Sequence, residues 1–431
     1  MANFLIVTIP QLAHINPVIP ISRTLVERGH QVVWMTGRAF KDKVEKTGAV
    51  LHPYPAAFDP GNKSFYEFWP EGGKLKGYAQ AKWWIKNVFL NSAPFLVEAI
   101  QVLINNRRID VLVGDTVTYG VYYTSELTKV PSAMVSLLPM MMVSRDAPLP
   151  GLGILPGKNA LINALYRALH FVIVHTIARN VRDRANKVRH QLGLPSQKSP
   201  VMRDHYHIPS LVMQLSTPAF EYPRSDQPSH LHFVGPILPE HLPDFLPPAW
   251  WPDLSGDSPV ILVNQGTVAN NLEDLIVPAI EAFKDEDVLL VAVPVSENAL
   301  QGVPKNVRTE KFIPFNELLP HVDVMVTNGG YGGTQLALAH GVPLVVSGAT
   351  EDKMEVAARV QWSGAGINLR KKQPSPSEIK KAVNKVFSNP TYRDNAQRLQ
   401  RDFAQYDAPK RAAELLELLA AGKGEFARGG A

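Results

Sequence analysis

The stretch TNGGYGGTQLALAHGVPLVVSGATEDK, residues 327–353, decides the fold. A strand-like run at 322–326 (VDVMV) precedes it, and Asn328, Gly329, Gly330, Gly332 and Gly333 open into an apolar helical segment, 336–340, that stops at Gly341. A second strand at 342–347 leads through 348–352 into another helix at 353–362. Two such strand-to-helix crossings bring two helix N-termini to one edge of a parallel sheet, where unpaired N–H groups and the positive end of the dipole favour an anion. The glycines let backbone approach a ligand that any Cβ would block, so a phosphate group is expected here. An isolated GGxGG would serve equally as a turn for helix packing alone.

Composition bounds what surrounds this stretch. A chain of 431 residues, 45% hydrophobic and 19% charged, is too long for one core and suits two domains. The lack of cysteine excludes disulfides, thiolate metal ligands and cysteine nucleophiles, and agrees with a reducing cytoplasm, the expected location. The longest apolar run, 130–143, falls short of the ~18 residues a membrane span needs and is broken by Pro131 and Pro139, so no transmembrane segment is expected. The first ten residues lack a basic n-region and read as a strand rather than a signal peptide. Residues 1–240 carry 25 Lys+Arg against 16 Asp+Glu, and the remainder 19 against 23. The half that holds the glycine stretch is thus the acidic one, so an anion there would rest on local N–H groups rather than on the overall field. Nucleic acid is not an expected partner.

From the start of the chain, residues 4–9 read as a buried strand, 10–15 as a loop, and Asn16-Pro17 as a helix start with a capping Asn and Pro in first position. The helix runs to Arg28, ends at Gly29, and hands over to a strand at 31–36. This βαβ opening lacks GxGxxG, which argues against a dinucleotide fingerprint. His14 sits in the loop after the first strand, and Asp115 closes a strand at 109–114 at the same sheet edge, where α/β folds carry chemistry. A loop histidine satisfied by backbone and an aspartate that caps the next segment are the plainer readings of the two. Chemically, a histidine titrating near neutrality can take a proton from an alcohol, and a carboxylate on its second nitrogen fixes the tautomer and stabilises the imidazolium.

Phe65, Tyr66, Phe68, Trp69, Tyr78, Trp83 and Trp84 are either ordinary core or the wall of an apolar pocket, and 137–142 (LLPMMM) adds adaptable methionines. Residues 151–157 (GLGILPG) read as a loop, and 160–190 as one long helix whose basic residues, Arg179, Arg182, Arg184, Lys187 and Arg189, read as solvated surface. Prolines at 236, 239, 243, 247, 248, 252 and 259 disfavour helix and sheet and mark a linker. A second α/β unit starts with a strand at 260–264, whose loop is Gln265-Gly266-Thr267.

The ordered set of GGxGG, a GVP strand and Thr-Glu-Asp-Lys at the next helix start resembles the donor-binding signature of the nucleotide-sugar-dependent glycosyltransferases of the GT-B fold, the group of the UDP-glycosyltransferases and bacterial macrolide glycosyltransferases. The resemblance implies two Rossmann-like parallel-sheet α/β domains facing a cleft. An N-terminal acceptor-binding domain would span 1–240, a Pro-rich linker 241–258 and a nucleotide-sugar-binding domain 259–405. Residues 406–431 would form a helix packing back towards the N-domain, plus a flexible tail. It implies His14 as general base and Asp115 as its orienter. It implies a donor site in which Gly266, Thr267, Asn328, Gly329, Gly330, Gly332 and Gly333 cradle the phosphates, Phe312 stacks on the base, and Asp352 and Lys353 reach sugar hydroxyls. The acceptor pocket would be walled by Phe65, Trp69, Trp83, Leu138 and Met141. Three positions depart from the family pattern. Asn328 stands for a His that contacts phosphate, Leu336 for the Glu that holds the ribose in plant enzymes, and Lys353 for a Gln.

The expected activity is inverting transfer of a sugar, with glucose from UDP-glucose foremost, to a hydroxyl of an apolar small molecule such as a phenol, macrolide or sterol. No metal or cofactor is expected, because helix N-termini and amide donors can stabilise the departing diphosphate and no Asp-x-Asp motif stands out. A nucleotide-sugar epimerase of the same fold is the alternative, against which the aromatic stretch at 65–84 argues. A non-catalytic nucleotide-sugar-binding protein is a third, against which the presence of both His14 and Asp115 argues.

Overall fold

Short runs of Val, Ile and Leu with no polar alternation form strands only where both faces of a sheet are covered. The computed structural model describes residues 1–75, 77–157, 159–176, 179–240, 242, 244–266, 271–294, 302–348 and 352–422, and it contains two such sheets. The first holds β1 (Asn3–Val7), β2 (Gln31–Thr36), β3 (Val50–Pro53), β4 (Val111–Asp115), β5 (Ser132–Ser136), β6 (Leu211–Gln214) and β7 (Leu231–Phe233) in the order β3-β2-β1-β4-β5-β6-β7. The second holds β8 (Val260–Asn264), β9 (Leu289–Val293), β10 (Val307–Thr309), β11 (Val324–Thr327), β12 (Leu344–Val346) and β13 (Gly366–Asn368) in the order β10-β9-β8-β11-β12-β13. Neighbouring strands pair in parallel throughout both. This is the doubled Rossmann-like α/β architecture that the sequence led us to expect. In each sheet the strand order reverses beside the first strand, β1 between β2 and β4 and β8 between β9 and β11, and such switch points open a crevice at the strands' C-terminal ends.

The two units are joined by more than the proline-rich segment. Phe220, from the turn Pro218–Phe220 between β6 and β7, is buried in the core of the second unit, where its ring stacks on Tyr331 at 6.5 Å. The C-terminal helix Ala408–Ala420 does the reverse, placing Ala412, Leu415, Leu416 and Leu419 in the core around β1 and β4. Gly235 lets the chain pass there. It has φ +92°, and a Cβ on it would lie 2.3 Å from Cβ of Tyr406.

Several helices differ from their sequence-based bounds. Residues 12–15 form a helical turn, Leu12–Ile15, followed by a 3-10 turn, Asn16–Val18, and the helix Ile19–Glu27. Pro17 and Pro20 each fit a first turn, whose N–H groups need no helical partner, so two starts replace one and the Asn16 side chain caps neither. The long helix expected at 160–190 is two, Ala160–His175 and Arg179–Gln191, separated at Thr176. On the second of these, Arg189 is buried and forks onto Glu126 at 2.6 and 2.8 Å, so that part of the basic face is core rather than solvated surface. Among the described residues one helical stretch, Gly77–Asn106, is long and apolar enough to cross a membrane. Its Leu96, Ile100 and Leu103 are buried against Leu5, Val7 and Leu112, and its Leu90, Ala93 and Val97 against Tyr119 and Tyr123, which makes it a core helix.

Candidate active site

Parallel register brings the ends of β1 and β4 together, with Val7 beside Gly114. The chain leaving β1 turns at Gln11 into Leu12–Ile15, which carries His14 back over the sheet edge, while Asp115 is the last residue of β4. Their side chains meet at 3.0 Å, Nδ1 to Oδ2, with His14 8% exposed and Asp115 fully buried. The Asp115 carboxylate also accepts from the backbone N–H of Ile9 at 3.0 Å and of Val117 at 2.9 Å. A carboxylate so placed only accepts, so the proton lies on Nδ1 and the lone pair on Nε2, the arrangement of a general base. The Asp115 carbonyl is fixed in turn by the Tyr122 hydroxyl at 2.7 Å and the Thr118 hydroxyl at 3.1 Å. A Cβ at Gly114 would approach those same hydroxyls to 2.8 and 2.7 Å, which explains glycine one residue before the aspartate.

Sequence reasoning missed His205, which lies under this pair. It is buried, its Nε2 bonds the carbonyl of Thr116, and its ring packs on Tyr119 and Tyr122. Burial pushes its pKa down to about 4, so it is neutral at pH 7 and Nε2–H is the donor to that carbonyl. Nothing in its sequence neighbourhood, RDHYHIP, marks it out.

The second unit repeats the geometry at the ends of β8 and β11, where Asn264 pairs with Thr327. Gly266, at φ +75°, donates its N–H to the Asn264 side chain at 2.9 Å. The side-chain amide of Asn328 donates to the carbonyl of Gln265, and its Oδ1 is buried without a partner among the described residues. Asn328 therefore braces the Gly266 turn, and its free acceptor suits a hydroxyl donor rather than the phosphate expected from the sequence. Gly329 takes φ +84°, and Gly330 caps the helix Tyr331–Ala339, which starts five residues ahead of its sequence-read bound and draws Gly332 and Gly333 into its first turn. Gly330 and Gly332 have negative φ and, among the described residues, nothing within 4 Å of where a Cβ would stand; Gly333 has there only an Asn264 nitrogen at 3.9 Å. Neither conformation nor packing against the described residues requires glycine at these three sites. Open space before a helix N-terminus with its unpaired N–H groups is what an anion fills.

Phe312 presents a ring 69% exposed in the loop after β10. Asp352 precedes the helix Lys353–Ser363 and Lys353 opens it. Thr267 and the signature's Thr350 and Glu351 lie outside the described residues. Leu336 is 5% exposed and packs in the second unit's core. In the first unit, a small cavity of about 10 Å³, room for one water, is lined by Ile9, Pro10, Tyr54, Phe65, Trp69 and Ser92 among others, against the loop that leads to His14. Phe65 and Trp69 thus share one wall. Trp83 packs edge-on to Trp84 at 5.1 Å, and Leu138 and Met141 pack against the two cores of the first unit, so these three do not line the cavity.

Comparison with known proteins agrees with this geometry. A family model described as "Erythromycin biosynthesis protein CIII-like, C-terminal domain" matches residues 276–419. The chain is 42% identical over 416 residues to 4'-demethylrebeccamycin synthase of Lentzea aerocolonigenes, covering 96% of this chain and 99% of that one. It is 30% identical over 423 residues to UDP-glucosyltransferase B1 of Starmerella bombicola, covering 92% and 94%. Among solved structures, the glycosyltransferase of kitacinnamycin superposes with a TM-score of 0.75 at 23% identity, covering 97% of this chain and 98% of that one, a likeness of fold.

Proposed function

The chain belongs to the natural-product glycosyltransferases, and from that premise we propose that it is an inverting enzyme transferring glucose from UDP-glucose to a hydroxyl of an apolar small molecule in the cytoplasm. The observation that carries the reading is the buried His14 Nδ1–Asp115 Oδ2 bond of 3.0 Å at the sheet edge. Nε2 of His14 accepts the acceptor's hydroxyl proton while the hydroxyl oxygen attacks the anomeric carbon from the face opposite the diphosphate. The bond from that carbon to the phosphate oxygen breaks, and the nucleoside diphosphate leaves with the electron pair. Asp115 stabilises the imidazolium formed, and the first-turn N–H groups of Tyr331–Ala339, reached across Gly330, Gly332 and Gly333, stabilise the charge on the leaving group.

In this reading residues 1–240 bind the acceptor, 241–258 link, and 259–405 bind the donor, with Phe312 stacked on the base and Gly266, Asn328, Asp352 and Lys353 around the diphosphate and sugar. A UDP-glucosyltransferase among the relatives favours UDP-glucose, and a 4'-demethylrebeccamycin synthase favours a natural-product acceptor. The cavity of about 10 Å³ beside Phe65 and Trp69 is far below the ~300 Å³ of a typical drug-sized site, so in this reading the acceptor lies in the cleft rather than in that cavity.

The test is incubation with UDP-glucose or dTDP-glucose and a panel of phenols, sterols and macrolides, with products resolved by mass and by anomeric coupling in NMR. A β-glucoside is expected. An α-glucoside would remove the single displacement, and an epimerised donor without glycoside would remove transfer itself.

A further inference from the structure

Four charged side chains that neither the base nor the glycine cradle uses are buried where the two units meet. Glu221 and Arg224 follow the turn Pro218–Phe220, and Glu355 and Arg359 lie on the helix Lys353–Ser363, one turn apart. Glu221 is 1%, Glu355 3% and Arg359 0% exposed, and the Arg224 side chain 2%. Arg359 donates through Nη2 to Glu221 at 2.8 Å and through Nη1 to Glu355 at 2.9 Å, while Arg224 lies 3.4 Å from Glu221. Burial works against a charged Glu221, yet the two guanidiniums outweigh it and hold its carboxyl below the usual range.

Each member of this quartet also bonds one loop, residues 137–153. Arg359 and Arg224 donate to the carbonyl of Met140 at 3.1 and 3.2 Å, and the Met140 N–H donates to Glu221 at 2.8 Å. The second oxygen of Glu355 accepts from the N–H groups of Gly151 at 2.8 Å and Gly153 at 2.9 Å. Gly153 has φ +60°, and a Cβ on it would lie 2.9 Å from the Met354 carbonyl, so only glycine lets the loop close on the start of that helix. The loop leaves β5, the neighbour of the strand that ends in Asp115; the helix begins at Asp352 and Lys353 of the donor signature.

Stability does not account for this choice of residues. Replacing a buried ion pair by well-packed hydrophobic groups is often neutral or better, whereas directional bonds fix a single register. Resting on glycosyl transfer as the reaction, we infer that the Glu221–Arg359–Glu355 bridge is a positioning device that sets the acceptor-side loop 137–153 against the donor-side helix, so that an alcohol rather than water faces the anomeric carbon. The two outcomes use the same donor, base and leaving group. Alcohol plus donor gives glycoside, nucleoside diphosphate and a proton; water plus donor gives free sugar, nucleoside diphosphate and a proton. They differ only in which oxygen is held in place, and small misplacements of a reacting atom carry large rate penalties.

The experiment measures glycoside and free sugar formed from one donor, in parallel, for the parent, Glu355→Gln, Arg359→Lys and Gly153→Ala. Arg359→Lys keeps the charge but loses the fork that spans both carboxylates. Each variant is expected to raise the hydrolysis-to-transfer ratio about tenfold, with acceptor KM rising and donor Kd within about twofold. The ratio is read from whatever fraction of the protein is folded, so a partial folding defect does not mask it. Arg189→Lys, in the Arg189–Glu126 pair inside the first unit, supplies the contrast, with lower stability and the parent's ratio. A parent that transfers, with all three variants at its ratio, would overturn the bridge alone. A parent that forms no glycoside would overturn the transfer reading and this inference with it.

Discussion

At the scale of single residues the proposed chemistry rests on His14 and Asp115, and removal of either tests a different part of it. His14→Ala deletes the proton acceptor and is expected to reduce transfer by a factor on the order of 10² or more, with donor affinity unchanged. Asp115→Asn keeps the imidazole but removes the charge that stabilises the imidazolium and sets an amide NH2 against a donor the carboxylate now accepts from, either the Val117 N–H on one oxygen or the Ile9 N–H and Nδ1 on the other, the second of which favours the wrong tautomer. Because the two act as a unit, the double variant should be no slower than His14→Ala alone, and kcat/KM for all three checks this. Losses that multiplied would mean that Asp115 acts on something other than the histidine. His205 makes a separate prediction about stability. Burial lowers its pKa from the ordinary 6.5 to about 4 in the folded chain, so between those values the unfolded chain binds a proton that the folded one does not. Stability from this group is present above pH 6.5 and lost as pH falls through that window, by up to ~3 kcal/mol. Melting temperature against pH should be flatter in His205→Gln, and an equal slope would assign the acid sensitivity to other groups.

Among the elements, the C-terminal helix Ala408–Ala420 is the one whose docking is most open to test. Leu416 is fully buried in the first unit's core, whereas Leu418, two residues on, is 41% exposed. Leu416→Ala should therefore cost about 2–5 kcal/mol in a denaturant titration, and Leu418→Ala within about 0.5 kcal/mol. Equal effects would mean that the helix docks by another face. Glu417 on the same helix bonds Arg28 at 2.6 Å and His30 at 2.8 Å, and the Arg28 contact foremost holds its carboxyl down to about 2. Elements of this kind also show what the sequence can and cannot say. The bounds of Gln31–Thr36 and Val260–Asn264 were legible because each is a short apolar run between a turn and a loop residue. The start of Tyr331–Ala339 was not, because glycine reads as loop although a first helical turn tolerates it when a ligand needs the space. His14 and Asp115 were legible through the βα pattern and family spacing, with their contact across 101 residues left to the fold. The spacing of Glu355 and Arg359 is visible in the sequence, but their partner Glu221 lies 138 residues from Arg359, beyond any periodicity.

For the molecule as a whole, the distribution of charge runs against the proposed distribution of ligands. Residues 1–240 carry 25 Lys+Arg against 16 Asp+Glu, and the rest, which hold the glycine cradle, 19 against 23. On the proposed site, a nucleoside diphosphate entering the acidic half gains nothing from long-range attraction, so its affinity would come from short contacts: N–H groups at the start of Tyr331–Ala339, the turn at Gly266 and the exposed ring of Phe312. Salt screens charges separated by more than about 10 Å at 0.1 M, and screens close, partly enclosed contacts far less. Donor KM should therefore change by less than about threefold between 50 and 500 mM salt, a range over which a steered anion loses much of its on-rate. The ribose offers a second handle on the same idea. Leu336 is turned into the core, so no carboxylate from that position grips the sugar hydroxyls. Each hydrogen bond that remains contributes about 0.5–1.5 kcal/mol, and UDP-glucose and dTDP-glucose, which differ by one ribose hydroxyl and one base methyl, should then fall within about tenfold of each other in kcat/KM. The two measurements belong together. Weak salt dependence with near-equal donors fits recognition centred on the diphosphate by backbone. A steep salt dependence would mean that cationic side chains of the first unit reach across the cleft to the phosphates, and a hundredfold preference for UDP would mean that the ribose is held by residues outside the cradle.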